Sequence, residues 1–157
     1  MIQVNITSLM ALTRLFVAEM AARRSGRILN IASMAGFAPG PLQAVYYATK
    51  AFVISFTEAT ANELRGTGVT VTALCPGPVE TEFIEHAAGK KITDYKGSAS
   101  ARDTALCGYD AMLKGKTIVV PGFFSKIVIH GLLRLAPRKS ITAATRRVMN
   151  VRYGKLA

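Results

Sequence analysis

The chain has 157 residues, half of them hydrophobic and 18% charged, which is enough apolar material for a core and excludes an intrinsically disordered chain. Its net charge of +11 is uneven: residues 1–100 carry 9 basic and 7 acidic side chains, residues 101–157 carry 11 and 2, and no acidic residue follows Asp110. The start, MIQVNITSLM, lacks the basic and apolar blocks of a signal peptide, and the apolar stretch 117–136 is interrupted by Lys126, His130 and Arg134, so no membrane-spanning segment is expected.

Leu9, Leu12, Phe16 and Met20 recur at spacings of three and four and predict a helix over 3–24, with Arg23 and Arg24 in its last turn and Ser25-Gly26 ending it. Residues 27–32, RILNIA, read as a buried strand, and 33–41 as a loop holding Gly36, Pro39, Gly40 and Pro41. A second long helix is predicted over 43–65, with Val45, Ala48, Phe52, Phe56 and Ala59 as its inner stripe. The β-branched run 69–74 is a strand closed by Cys75-Pro76-Gly77-Pro78. Residues 79–98 read as a polar, irregular loop with Glu80, Glu82 and Glu85, followed by a helix over 100–114 and a strand over 116–120. One or two basic, amphipathic helices around Pro137 complete the chain. This alternation of helix and strand predicts an α/β fold with a parallel sheet.

Cys75 and Cys107 lie far apart without CxxC spacing and read as ordinary buried thiols, which points to a reducing, cytoplasmic location and away from a metal site. His86 and His130 have no partner cluster and read as surface or packing residues.

The segment Tyr46-Tyr47-Ala48-Thr49-Lys50 carries the strongest chemical signal. Tyr46 and Lys50 sit at i and i+4, on one helix face. A phenol is a poor acid–base catalyst at neutral pH unless its anion is stabilised. A cation ~4 Å away at an effective dielectric of ~20 supplies about 4 kcal/mol, against about 1 kcal/mol in bulk water, so the chemistry needs a sheltered site. Ser33 stands 13 residues before Tyr46 at a strand's C-terminal end, where ligands bind in open α/β sheets. Its hydroxyl can hydrogen-bond a substrate carbonyl, or simply cap a turn.

GRILNIASMAG, then YYATK, then VTVTALCPGPVETEF resembles the short-chain dehydrogenase/reductase superfamily, in order from Val4-Asn5 to Phe83. The resemblance implies Tyr46 as catalytic acid/base, Lys50 as the residue that holds the nicotinamide ribose and stabilises the phenolate, Ser33 as the group that polarises the substrate carbonyl, and Asn5 as the holder of a proton-relay water. It implies contacts to the nicotinamide end from Pro76, Gly77, Val79 and Thr81, and a structural place for Asn30 within its strand. The implied function is hydride transfer between a nicotinamide cofactor, NADP or NAD with NADP the slight favourite, and a small carbonyl or secondary-alcohol substrate. The segment from Gly108 to Lys139 also resembles the tail of a bacterial subgroup called DltE-like reductases.

The resemblance departs at one end. Neither the family's Thr-Gly-x-x-x-Gly-x-Gly turn nor its Asn-Asn-Ala-Gly segment occurs in the 157 residues. The expectation is therefore the C-terminal half of a Rossmann-like doubly wound sheet, with the Gly-rich phosphate-binding half missing and activity impaired. The expected division is a partial catalytic domain over 1–121 and a basic tail over 122–157. The alternative is a non-catalytic fragment that acts only by self-association, as a homo-oligomer through helices 3–24 and 43–65, or at a membrane surface through the tail. No zinc spacing or helix-turn-helix pattern supports specific nucleic-acid readout.

Overall fold

The computed structural model of the protein describes residues 1–79 and 99–153; Glu80, Thr81, Glu82, Glu85 and His86 lie outside the described residues, with most of the expected loop. Three strands form one parallel sheet in the order β1 (Gly26–Ile31), β2 (Val69–Leu74), β3 (Ile118–Val119). Gly26 lies opposite Val69 and Ile31 opposite Leu74, while Ala73 and Leu74 face Ile118 and Val119. β3 keeps only two of the five residues that its apolar run predicts. The arrangement is the expected α/β one, a partial Rossmann-like sheet.

Successive side chains of a strand point to opposite faces. Val69, Val71 and Ala73 of β2 are buried in clusters that include residues of α1 (Leu9–Ala22) and α2 (Ala44–Glu63). Leu74 points the other way, against α3 (Ala101–Leu113), where a Cβ on Gly108 would lie 2.6 Å from Leu74 Cδ2. A glycine there is what lets helix and sheet approach so closely. α3 starts on a cap: Ser100 Oγ accepts the Asp103 N–H at 3.1 Å. The C-terminal region folds as a helical stretch α4 (Phe123–Ile127, a π-helical Val128–Leu132, then Leu133–Leu135) and as α5 (Arg138–Tyr153). Ile129 of α4 is buried in the cluster that holds Ala32, Val53, Ile54, Ala73, Cys75 and Val120.

The stripe of α2 is set differently from its expected orientation. In α2 the buried residues are Thr49, Val53, Ile54, Thr57 and Thr60, while Val45 is 52% exposed and Phe52 and Phe56 are half-buried and stacked on each other. The helix is turned about 120° from the apolar stripe, by the angle per residue of an α-helix. The cause is polar pairing: Asn30 Nδ2 donates to Thr57 Oγ1 at 3.0 Å in the interior, and a buried amide left unpaired costs about 1–3 kcal/mol. In α1, Leu12 and Phe16 line a groove along the outer edge of β1, with which no strand pairs among the described residues. The continuous helix Gln3–Ala22 is long and apolar enough to cross a membrane by length and composition alone, a test that core helices also pass. Arg14 and Glu19 interrupt it, and Val17, Met20 and Ala21 pack on the core, as befits a helix laid on a sheet.

Cys75 is fully buried as expected, whereas Cys107 is only half-buried. Burial, reinforced by Glu58 and opposed by Lys50, pushes the Cys75 thiol up to about 12 from the usual 9.0. Between those values the folded thiol keeps a proton that the unfolded chain releases, so its contribution to stability is full below about 9 and is lost as pH rises through about 12. The thermal midpoint is expected to fall across this alkaline window, and Cys75→Ala to flatten the fall. Equal slopes in the two proteins, measured by circular dichroism, would remove the thiol as the cause.

Candidate active site

The expected catalytic side chains come from three consecutive elements. Ser33 stands just beyond β1, with extended backbone, and caps a short 3-10 turn, Met34–Phe37. Its Oγ accepts the Ala35 N–H at 3.2 Å and makes a long 3.5 Å contact to the Pro76 carbonyl. The capping role is thus real, and it ties the end of β1 to the Pro-Gly turn after β2. The Met34 N–H donates to the same Pro76 carbonyl at 2.9 Å. Gly77 lies against Met34, and Val79 makes a single parallel bridge to Ala99. Pro76, Gly77 and Val79 therefore line up beyond the strand end; Thr81 lies outside the described residues.

Tyr46 and Lys50 occupy the first turns of α2, on the side that the buried Thr49 and Val53 hold toward the sheet. The Lys50 ammonium sits 5.8 Å from the Tyr46 ring centroid and donates to the Ile31 carbonyl at 2.8 Å. Ala32 N–H bonds Leu74 of β2, so by strand alternation the Ile31 carbonyl points to the opposite, outer edge of β1. Lys50 therefore caps an edge carbonyl that has no ladder partner among the described residues. Burial pushes this ammonium below its usual range, and nearby Cys75 pulls the other way. The carbonyl contact offsets part of the cost of removing the charge from water.

Asn5 lies within a π-helical stretch, Gln3–Ser8, a geometry that recurs at functional sites. Its Nδ2 donates to Thr49 Oγ1 at 3.0 Å, and Thr49 Oγ1 in turn donates to the Tyr46 carbonyl at 2.8 Å. The π-helical stretch that leads into α1 is thereby joined to the start of α2 through Asn5, Thr49 and Tyr46, Lys50 is joined to Ile31, and Ser33 to Pro76. The groove beside them has a volume of about 580 Å³ and is lined in part by Asn5, Phe16, Asn30, Ile31 and Lys50. Among the described residues no group of His, Cys, Asp or Glu is placed to hold a metal.

Two positions escaped the sequence reading. Thr49 is the hub between Asn5 and Tyr46, although within YYATK it looks like filler. Gly36 touches the backbone of the motif: a Cβ there would lie 2.7 Å from the Lys50 carbonyl and 2.5 Å from Ile54 Cδ1.

A family model described as short chain dehydrogenase matches residues 1–91, more than half of the sequence. The chain belongs to the short-chain dehydrogenase family. A 3-oxoacyl-[acyl-carrier-protein] reductase of Synechocystis is 40% identical over 94 residues, 60% of this chain and 38% of that protein. A ketoacyl reductase of Nostoc is 48% identical over 75 residues, 48% of this chain and 26% of that protein. A short-chain dehydrogenase from Sphingobium yanoikuyae, solved in complex with NADPH, superposes with a TM-score of 0.72 at 25% identity, over 99% of this chain and 57% of that one. This short-chain dehydrogenase chain thus spans well under two thirds of the relatives it matches.

Gly36→Ala is expected to cost about 1–3 kcal/mol, the range for overpacking, because a backbone carbonyl cannot swing aside as a side chain can. Thermal or denaturant unfolding measures it; a variant as stable as the parent would mean that the Lys50 turn is not held by this contact.

Proposed function

We propose that these residues are the proton-transfer half of an NAD(P)-dependent oxidoreductase that interconverts a carbonyl and a secondary alcohol. The observation that carries this reading is the Lys50 ammonium held close to the Tyr46 ring, on the α2 face turned toward the sheet, beside the C-terminal end of β1. The residues present fit the nicotinamide and ribose end of a dinucleotide: Tyr46, Lys50, Pro76, Gly77 and Val79, with Thr81 from the sequence reading, would hold it, and when bound it supplies or accepts the hydride. The relative solved with NADPH supports that class of cofactor, and NADP is slightly favoured over NAD.

In the reducing direction Tyr46 gives its phenolic proton to the substrate oxygen, and in oxidation it takes that proton back. Lys50, its ammonium 5.8 Å from the Tyr46 ring centroid, is the cation that stabilises the phenolate. Ser33 orients the substrate oxygen. Turning its O–H away from Pro76 sacrifices only a long contact, while the Ala35 N–H keeps the oxygen in place. Asn5, fixed through Thr49, holds a water that returns the proton to Tyr46. The substrate is a small carbonyl or alcohol, and membership of the DltE-like subgroup is part of the same proposal.

No Gly-rich phosphate-binding turn occurs in the 157 residues, so on their own they are proposed to bind cofactor weakly and to turn over poorly. The outward apolar side of α2, with Val45 exposed and Phe52 and Phe56 half-buried, supports a homodimer. It also supports the second reading, a non-catalytic fragment that acts by self-association.

In a chain extended by a Gly-rich nucleotide-binding half, Tyr46→Phe is expected to lower kcat at least about 100-fold, within the usual contribution of general acid catalysis. Tyr47→Phe is expected to be mild, since that side chain is turned about 100° round the helix. Equal effects in steady-state assays would reassign the acid. The 157-residue polypeptide alone is expected to show no saturable NADPH or NADH binding by calorimetry up to roughly the top of the usual micromolar-to-millimolar range of enzyme substrates. A saturable isotherm there would overturn the proposed impairment.

A further inference from the structure

Each of the C-terminal helices leaves apolar side chains exposed that the proposed reaction does not use. α4 buries Ile129 and half-buries Leu133, yet it leaves Phe123 80% exposed and Ile127 52% exposed, one turn apart on one side; Leu135 at its end is 87% exposed. α5 buries Ile141 and Met149, which lie eight residues apart on its inner side. Beside that inner side, about a quarter-turn round the helix, runs a second apolar row at i, i+4 and i+7: Ala144, Val148 and Val151, of which Val148 is 59% and Val151 85% exposed. Arg147 borders this row, and Arg146 and Lys139 lie farther round on the exposed side, beside a shallow groove lined by Arg146, Arg147, Asn150 and Val151.

Charge decides what covers such a surface. From Ala111 to Ala157 the sequence holds ten Lys and Arg and no acidic residue. A second copy seated on it would bring like charges together. A nucleic-acid backbone would satisfy the arginines and leave Val148 and Val151 in water. A bilayer with anionic headgroups satisfies both sets at once: the apolar row enters the boundary between headgroups and acyl chains, and the cations stay at the headgroup level.

We propose that α5 forms a peripheral membrane-docking surface for anionic lipid, with Val148 and Val151 as its apolar contact and Arg147, which borders them, and its neighbour Arg146 as its electrostatic one.

The test is flotation of the full 157-residue chain with vesicles, since aggregated protein sediments and is not mistaken for bound protein. Vesicles of phosphatidylcholine alone are compared with vesicles that also contain phosphatidylglycerol. The expected result is flotation with the anionic vesicles only, reduced by added salt. The double variant Arg146→Glu, Arg147→Glu is expected to weaken partitioning on the order of 20-fold or more, from the contribution of each basic residue near an anionic surface. The double variant Val148→Ser, Val151→Ser keeps every charge and is also expected to lose flotation; circular dichroism confirms that each exposed-site variant is folded. No flotation with anionic vesicles, equal flotation with phosphatidylcholine alone, or unchanged flotation of the serine variant would each overturn the proposal. So would retention on duplex DNA that survives in the serine variant and competes fully with the vesicles, an outcome that would make the surface a polyanion site.

Discussion

The rotation of α2 about its own axis is set by two hydroxyl contacts, and the candidate site depends on that setting. Thr49 accepts from Asn5 of the α1 side, and Thr57, two turns on, accepts from Asn30 of β1. Val53, wholly buried, lies midway between them on the same face. With these three residues inward, Tyr46 and Lys50 at the start of the helix are carried toward the end of β1. A turn of about 100°, one residue's worth, would replace them with Tyr47 and Ala51. The pairing is polar on both sides, so it specifies one rotation where an all-apolar interface would tolerate several. That specificity costs little, because each amide has a hydroxyl partner in reach.

The outer edge of β1 imposes the second constraint. An unpaired strand edge exposes N–H and C=O groups that invite pairing with another chain. Here a lysine from α2 reaches the Ile31 carbonyl, and Leu12 and Phe16 of α1 flank the groove beside it. The same ammonium thus serves as the edge's hydrogen-bond donor and as the cation beside the Tyr46 ring. These two uses lie close together because the strand end and the first turns of the helix meet there, the position that open α/β sheets give to ligands.

Much of this was legible in the sequence, and the failures have physical causes. The order of elements, the strand at 69–74 and the parallel sheet follow from β-branched runs separated by helical periodicity. The motif placed Tyr46 and Lys50 together by spacing alone, and the structure has the ammonium beside the ring. Hydropathy puts the apolar stripe of α2 inward, but the inner face is built largely of threonines, which hydropathy counts as polar, while the phenylalanines stack on the outer side. The α1 stripe was recognised, but its neighbour was not: periodicity shows that a face is apolar and says nothing about what it meets. The π-helical stretch around Asn5 has no sequence signature, because it is a matter of hydrogen-bond register and not of residue type. Gly36 was read as loop punctuation, whereas its role comes from a backbone 14 residues away.

The division of labour within the fold follows from where each kind of chemistry can be built. Proton transfer needs side chains fixed to fractions of an ångström, and here α1, β1 and α2 fix one another through contacts confined to those elements and the turn after β2. Holding a pyrophosphate needs a tight glycine turn opening a helix, and the only G-x-G in the chain, Gly66-Thr67-Gly68, runs from α2 into β2, with Gly66 and Gly68 at positive φ to turn the backbone. That turn is in the wrong place to serve a phosphate: it leads from helix to strand, so no helix N-terminus follows it. On the proposed reading, the proton chemistry and the phosphate chemistry are thus physically separable, and the contacts among α1, β1 and α2 do not depend on a phosphate-binding turn.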